Sequence, residues 1–124
     1  MDQTIDYINK KLNGETKVDT KKNLLIVEFY KDGNLIRQDE IGFEDIAPEN
    51  ITYNYDEKAI IIKCMNNEKC VFRKLYKEKI KRYYSRINIP FESDEKSING
   101  LKKALKHLVR LAQDDSYKSD EPFE

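Results

Sequence analysis

The sequence predicts an α+β domain: a short N-terminal helix, a bent antiparallel sheet or partly open barrel of about six strands, and a long C-terminal capping helix. Three observations predict it. Apolar-rich runs flank Asp32-Gly33, further short alternating runs separated by turn residues fill 51–89, and the stretch from Ile98 to Ala112 carries an apolar stripe at helical spacing. A length of 124 residues fits one domain. The expected division is a compact unit over 1–113 and an acidic, disordered tail over 114–124, which contains Pro122.

Each element follows from its residues. Ile5, Ile8 and Leu12 share one face of a helix over Asp2 to Leu12, and Asn13-Gly14 ends it. Glu15 to Lys22 reads as a polar connector. Asn23 to Lys31 and Asn34 to Ile41 read as a hairpin, because both central residues of a type I′ turn need positive φ and Asp32-Gly33 meets that demand. A two-residue loop places Glu28 opposite Arg37. Phe43 to Asn50, with Pro48, reads as a loop or a single helical turn. Ile51, Tyr53 and Tyr55 alternate with Thr52 and Asn54 as a half-buried strand, which Asp56-Glu57-Lys58 turns into Ala59 to Met65. A second turn at Asn66-Asn67 leads back through Cys70 to Leu75, pairing Cys64 with Cys70 and Ile62 with Phe72. Tyr83 to Ile89 reads as one more strand. Ser93 is the expected N-cap of the last helix, with Asp94 and Glu95 in the first turn where the helix dipole favours acids. Leu101, Ala104, Leu105, Leu108, Val109, Leu111 and Ala112 form its apolar stripe, opposite Lys102, Lys103, Lys106, His107 and Arg110.

This order of strands and final helix, over Asn23 to Gln113, resembles that of pleckstrin-homology-like domains. The resemblance implies a bent antiparallel barrel closed at one end by its last helix. Lipid-binding members resemble one another in a Lys, then Lys/Arg-x-Arg pattern across the first hairpin. Lys31 and Arg37 match its start, Asp39 stands where the last Arg belongs, and phosphoinositide binding by that route is not expected.

Composition excludes several classes. Lys+Arg and Asp+Glu each number 23, so net charge suggests no purely electrostatic partner. No apolar run approaches the roughly 20 residues of a membrane span. Met1 to Leu12 does not read as a signal peptide, and a cytoplasmic setting is expected. Eighteen Lys to five Arg, with fourteen Ile and ten Asn, suggests an A+T-rich, bacterial or phage genome. Four isolated glycines make neither a dinucleotide fingerprint nor a phosphate loop. The single histidine, His107, lies among lysines on a polar helix face and reads as solvated rather than as a general base. Glu44-Asp45 and Asp114-Asp115 read as solvating charges rather than acid/base dyads. Cys64 and Cys70 cannot complete a four-ligand zinc site with one histidine. Reduced, side-by-side thiols are expected, with a disulfide as the alternative. No cofactor, metal or enzymatic activity is expected.

Charge distribution is the unusual feature. Seven acids follow Arg37 up to Glu57 without a base: Asp39, Glu40, Glu44, Asp45, Glu49, Asp56 and Glu57. Eight bases then lie between Lys69 and Arg86 against Glu78 alone, interleaved with Tyr76, Tyr83 and Tyr84. The stretch could neutralise the acidic lobe of the same molecule, anchor a protein partner through Tyr and Arg, or track phosphates of nucleic acid or anionic lipid. The expected function is a non-catalytic protein-interaction or adaptor module, with nucleic-acid or anionic-surface binding as the rival. The candidate binding residues are Lys74, Lys77, Lys79, Lys81, Arg82, Tyr83, Tyr84 and Arg86.

Overall fold

A computed structural model describes the backbone of residues 2–119 and the side chains of residues 2–114. Helix α1 (Asp2–Leu12) is followed by strands β1 (Thr16–Lys21), β2 (Leu24–Lys31) and β3 (Asn34–Gly42). A 3₁₀ turn (Phe43–Asp45) leads to β4 (Ile46–Asn54) and β5 (Ala59–Cys64), and a second (Met65–Asn67) to β6 (Val71–Leu75). Strands β7 (Ile80–Tyr84) and β8 (Arg86–Pro90) then precede helix α2 (Glu95–Ser119). The α+β class and both terminal helices are as expected, and all strand pairs are antiparallel. The sheet is not closed into a barrel. It is split into a five-stranded sheet ordered β1-β2-β3-β6-β7 and a three-stranded sheet ordered β4-β5-β8. Helix α2 runs past residue 113, where the tail was expected to begin; residues 120–124 lie outside the described residues. Among the described residues no helix is long and apolar enough to cross a membrane.

Several expectations about the strands are corrected, among them the loop over 43–50, whose part from Ile46 onward belongs to β4. The polar connector is a strand: Thr16 and Val18 point inward and Lys17 and Asp19 outward, a period of two. Asp32 and Gly33 take the positive φ of the expected turn, 53° and 79°, but a bulge near Ile36 shifts the register. Arg37 therefore lies opposite Phe29, and Glu28 opposite Gln38. The β5–β6 hairpin does not form, because Ile62 pairs with Ile51 and Ile87 in one sheet while Phe72 pairs with Glu40 and Tyr83 in the other. Finally, the run from Tyr83 to Ile89 is broken at Ser85, where the chain leaves one sheet for the other.

Over the described residues the chain thus crosses between sheets three times, and each crossing is held. Gln113 of α2 donates to the carbonyls of Phe43 and Ile46 at the first, at 3.1 and 2.8 Å. At the second, Cys64 and Cys70 are joined in a disulfide with Cα atoms 5.8 Å apart, correcting the expectation of free thiols. At the third, the Cys64 N–H donates to the Ser85 carbonyl at 2.9 Å. Both sheets and both helices contribute to one apolar cluster that includes Ile8, Val27, Ile41, Ile60, Ile62, Ile87 and Ile89. Leu101, Leu105 and Leu108 of α2 are buried in it, as their spacing predicts.

Candidate functional site

The candidate residues lie on a hairpin whose two faces differ. In β6 and β7 the pairs are Lys74 with Lys81, Arg73 with Arg82, Phe72 with Tyr83 and Val71 with Tyr84. Because side chains alternate, Phe72, Lys74, Lys81 and Tyr83 share the outer face of the five-stranded sheet. Val71, Arg73, Arg82 and Tyr84 share the inner one. On the outer face the Phe72 and Tyr83 ring centroids are 5.1 Å apart, and the Lys74 ammonium lies 5.7 Å from the Phe72 centroid. Tyr83 is 60% exposed. Lys77 and Lys79 are exposed in the turn, where Lys79 takes a positive φ of 55°. Arg86 belongs to β8 in the other sheet. The structure therefore gathers Lys74, Lys81 and Tyr83 on one surface and places Arg82, Tyr84 and Arg86 elsewhere.

Strand β7 is also a sheet edge. The opposite edge, β1, is covered by α1: Asn9 donates to the Val18 carbonyl at 2.9 Å and accepts from the Val18 N–H at 2.7 Å. Along β7 no such cover exists among the described residues before the crossing at Ser85. Further along the same sheet, burial and the Glu28 carboxylate raise the Tyr30 phenol above its ordinary value, so it stays a neutral donor to Glu28 at 3.2 Å.

The inner face carries a cluster that the candidate residues only touch. Asp39, fully buried, sits between two arginines. Arg37 reaches it through Nε at 3.1 Å and Nη2 at 2.6 Å, and Arg73 through Nε at 2.9 Å and Nη2 at 3.1 Å. Each guanidinium also lies over an aromatic ring: Arg37 over Phe29 at 4.2 Å, and Arg73 over Tyr84 at 4.1 Å. Tyr84 is thus a support for Arg73 and not an outward anchor. Arg37, Arg73 and Arg86 line a cleft of about 310 Å³ with Tyr84 and Asn88. The signal for this cluster is in the sequence: Arg37, Asp39 and Ile41 share one phase of β3, and a charge in an inward phase needs a buried partner.

Part of the uneven charge is therefore balanced internally, by Asp39 with Arg73 and by Glu57 with Arg86 at 3.6 Å. Lys74, Lys77, Lys79, Lys81 and Arg82 have no ion pair among the described residues. His107 is exposed, as expected, and lines a cleft with Asp2, Gln3 and Thr4 of α1. Comparison of the chain with protein families, curated proteins and solved structures finds no match.

Proposed function

We propose that this chain is a non-catalytic protein-interaction module, and that its contact surface is the outer face and free edge of the β6–β7 hairpin. The observation that carries the reading is Tyr83, 60% exposed on an uncovered edge strand with its ring already packed on Phe72. Aromatic side chains ordered before binding lose little further freedom on contact and are favoured anchors. The edge offers backbone groups to an added extended strand. Lys74 and Lys81, with Lys77 and Lys79 in the adjoining turn, make that strand an acidic one. The same charges oppose pairing with a second copy of β7.

The test is site-directed photo-crosslinking in the native cell, with the reactive side chain at Tyr83 and, as a control, at Lys103 on the outer face of α2. A discrete protein adduct from position 83 that Lys81→Glu removes is expected. Nuclease-sensitive adducts that weaken steeply with salt would replace this reading with nucleic-acid binding. Equal labelling from both positions would leave the hairpin a solvated surface. A cytoplasmic setting is part of the proposal. It requires the Cys64–Cys70 disulfide to be reduced in the cell. Recovery of both cysteines as alkylated thiols after acid quenching and denaturation without reductant supports it, and an intact disulfide would place the chain in an oxidising compartment instead.

A further inference from the structure

We propose that the cleft between Arg37, Arg73 and Arg86 binds a single oxyanionic group, a phosphate or a carboxylate. Asp39 takes Nε and Nη2 of both inner arginines, and the Arg86 carbonyl takes a further bond from Arg73 Nη2 at 3.1 Å. Nη1 of Arg37 and Nη1 of Arg73 have no hydrogen-bond partner among the described residues. Among the described residues no fully buried side-chain nitrogen lacks a partner, so both Nη1 groups reach solvent. Arg86, 43% exposed, meets Glu57 only at 3.6 Å, beyond hydrogen-bond length. Three arginines with unspent guanidinium donors, from β3, β6 and β8, therefore line one cleft. Three cations face two carboxylates there, Asp39 and Glu57, a local surplus of one positive charge.

The donors are also held in place before any ligand arrives. Asp39 fixes the edges of two guanidiniums and Phe29 and Tyr84 support their faces, so little ordering is left to binding. Arginine donors in such a fork match the oxygens of carboxylate and phosphate groups. A cleft of about 310 Å³ also has room for part of the molecule that bears the group. Glu57 is the rim of the site: Asn54 and Asn88 hold its carboxylate at 3.1 and 2.5 Å, beside Arg86. The cleft shares no residue with the outer face of the hairpin, so the two proposals stand or fall separately.

The test is NMR titration of the full chain, following the arginine Nε–H signals, with inorganic phosphate, O-phosphoserine, adenosine monophosphate and acetate. Saturable shifts of Arg37 and Arg73 are expected. Arg86→Gln should weaken binding about tenfold and Glu57→Gln should strengthen it, while Lys81→Gln on the outer face leaves it unchanged. Phosphate binding more tightly than acetate assigns the group to a phosphate, with the two esters reporting what carries it; the reverse order assigns it to a carboxylate. An absence of saturation with every probe would overturn the site. An equal loss in Lys81→Gln and Arg86→Gln would also overturn it, because net charge alone would then explain the shifts.

Discussion

Asp39 is where a single side chain does most to organise this molecule. It is fully buried in β3, faces Val27 on one side and Arg73 on the other, and accepts from two guanidiniums. Removing one partner of a buried ion pair leaves the others desolvated without a counter-charge, which costs far more than the pair contributes against an apolar replacement. Asp39→Asn keeps the shape and removes the charge. It is expected to lower stability by about 3 kcal/mol in urea unfolding. A loss below about 1 kcal/mol, the scale of an exposed pair, would show that Phe29 and Tyr84 hold the arginines unaided. The sequence makes Asp39 conspicuous for another reason, since it stands where a lipid-binding pattern would have arginine. In the structure that same carboxylate turns Arg37 inward. Tyr84 carries a similar lesson. Its sequence neighbourhood reads as binding surface, yet its ring lies under Arg73, so Tyr84→Ala acts on the cluster and Tyr83→Ala on the surface.

At the scale of elements, α2 was the most legible part and the strand pairing the least. Its stripe is long enough to average out local exceptions, and Leu105 is 1% exposed. Leu105→Ala is expected to cost roughly 2–5 kcal/mol in the same unfolding experiment; a neutral result would remove α2 from its place as the element that closes the core. The start of α2 differs by one residue from expectation. Asp94, not Ser93, is the cap, accepting the Ser97 N–H at 2.8 Å. The Ser97 side-chain hydroxyl, then the Ser97 backbone N–H, and with them the charges of Lys11 and Lys96, hold its carboxyl below the ordinary aspartate value. A lowered carboxylate contributes stability above its unfolded-state pKa and loses it as pH falls through the folded one. The melting-temperature gap between the native chain and Asp94→Ala should accordingly be constant near neutral pH and close in acid. A gap that widens in acid would mean that the cap does not titrate as stated. Strands are harder to read because alternation reveals a face but not a neighbour. Strand β1 has one strongly apolar side chain, Val18, and its inward Thr16 looks polar in sequence. In one continuous strand Tyr83, Ile87 and Ile89 would share a face, yet Tyr83 is outward and Ile87 and Ile89 are inward. The break at Ser85 shifts that phase by one residue.

At the scale of the molecule, the described residues form two sheets and two helices joined by three short crossings, and local pattern says nothing about which strand follows the chain across. Cys64 and Cys70 were legible as neighbours from their spacing about a turn, but that turn joins sheets rather than closing a hairpin. The disulfide consequently ties the three-stranded sheet to the five-stranded one at the second crossing, and the Cys64 N–H reaches the third at Ser85. Its sequence separation is only six residues, so little loop entropy is removed from the unfolded chain, and the chain-entropy relation gives about 2 kcal/mol. Cys64 is itself buried in the apolar cluster, which persists without the bond. Reduction is therefore expected to lower stability by about 2 kcal/mol without unfolding the chain. The loosening should concentrate where the crossings meet. Hydrogen exchange should quicken at the Cys64 amide, while amides in the β1–β2 hairpin keep their protection. The measurement is urea unfolding with and without a phosphine reductant, joined to exchange mass spectrometry of both forms. An unchanged midpoint would mean that the Gln113 and Ser85 contacts hold the sheets together unaided. A uniform rise in exchange would instead show that the bond stabilises the fold as a whole rather than its crossings.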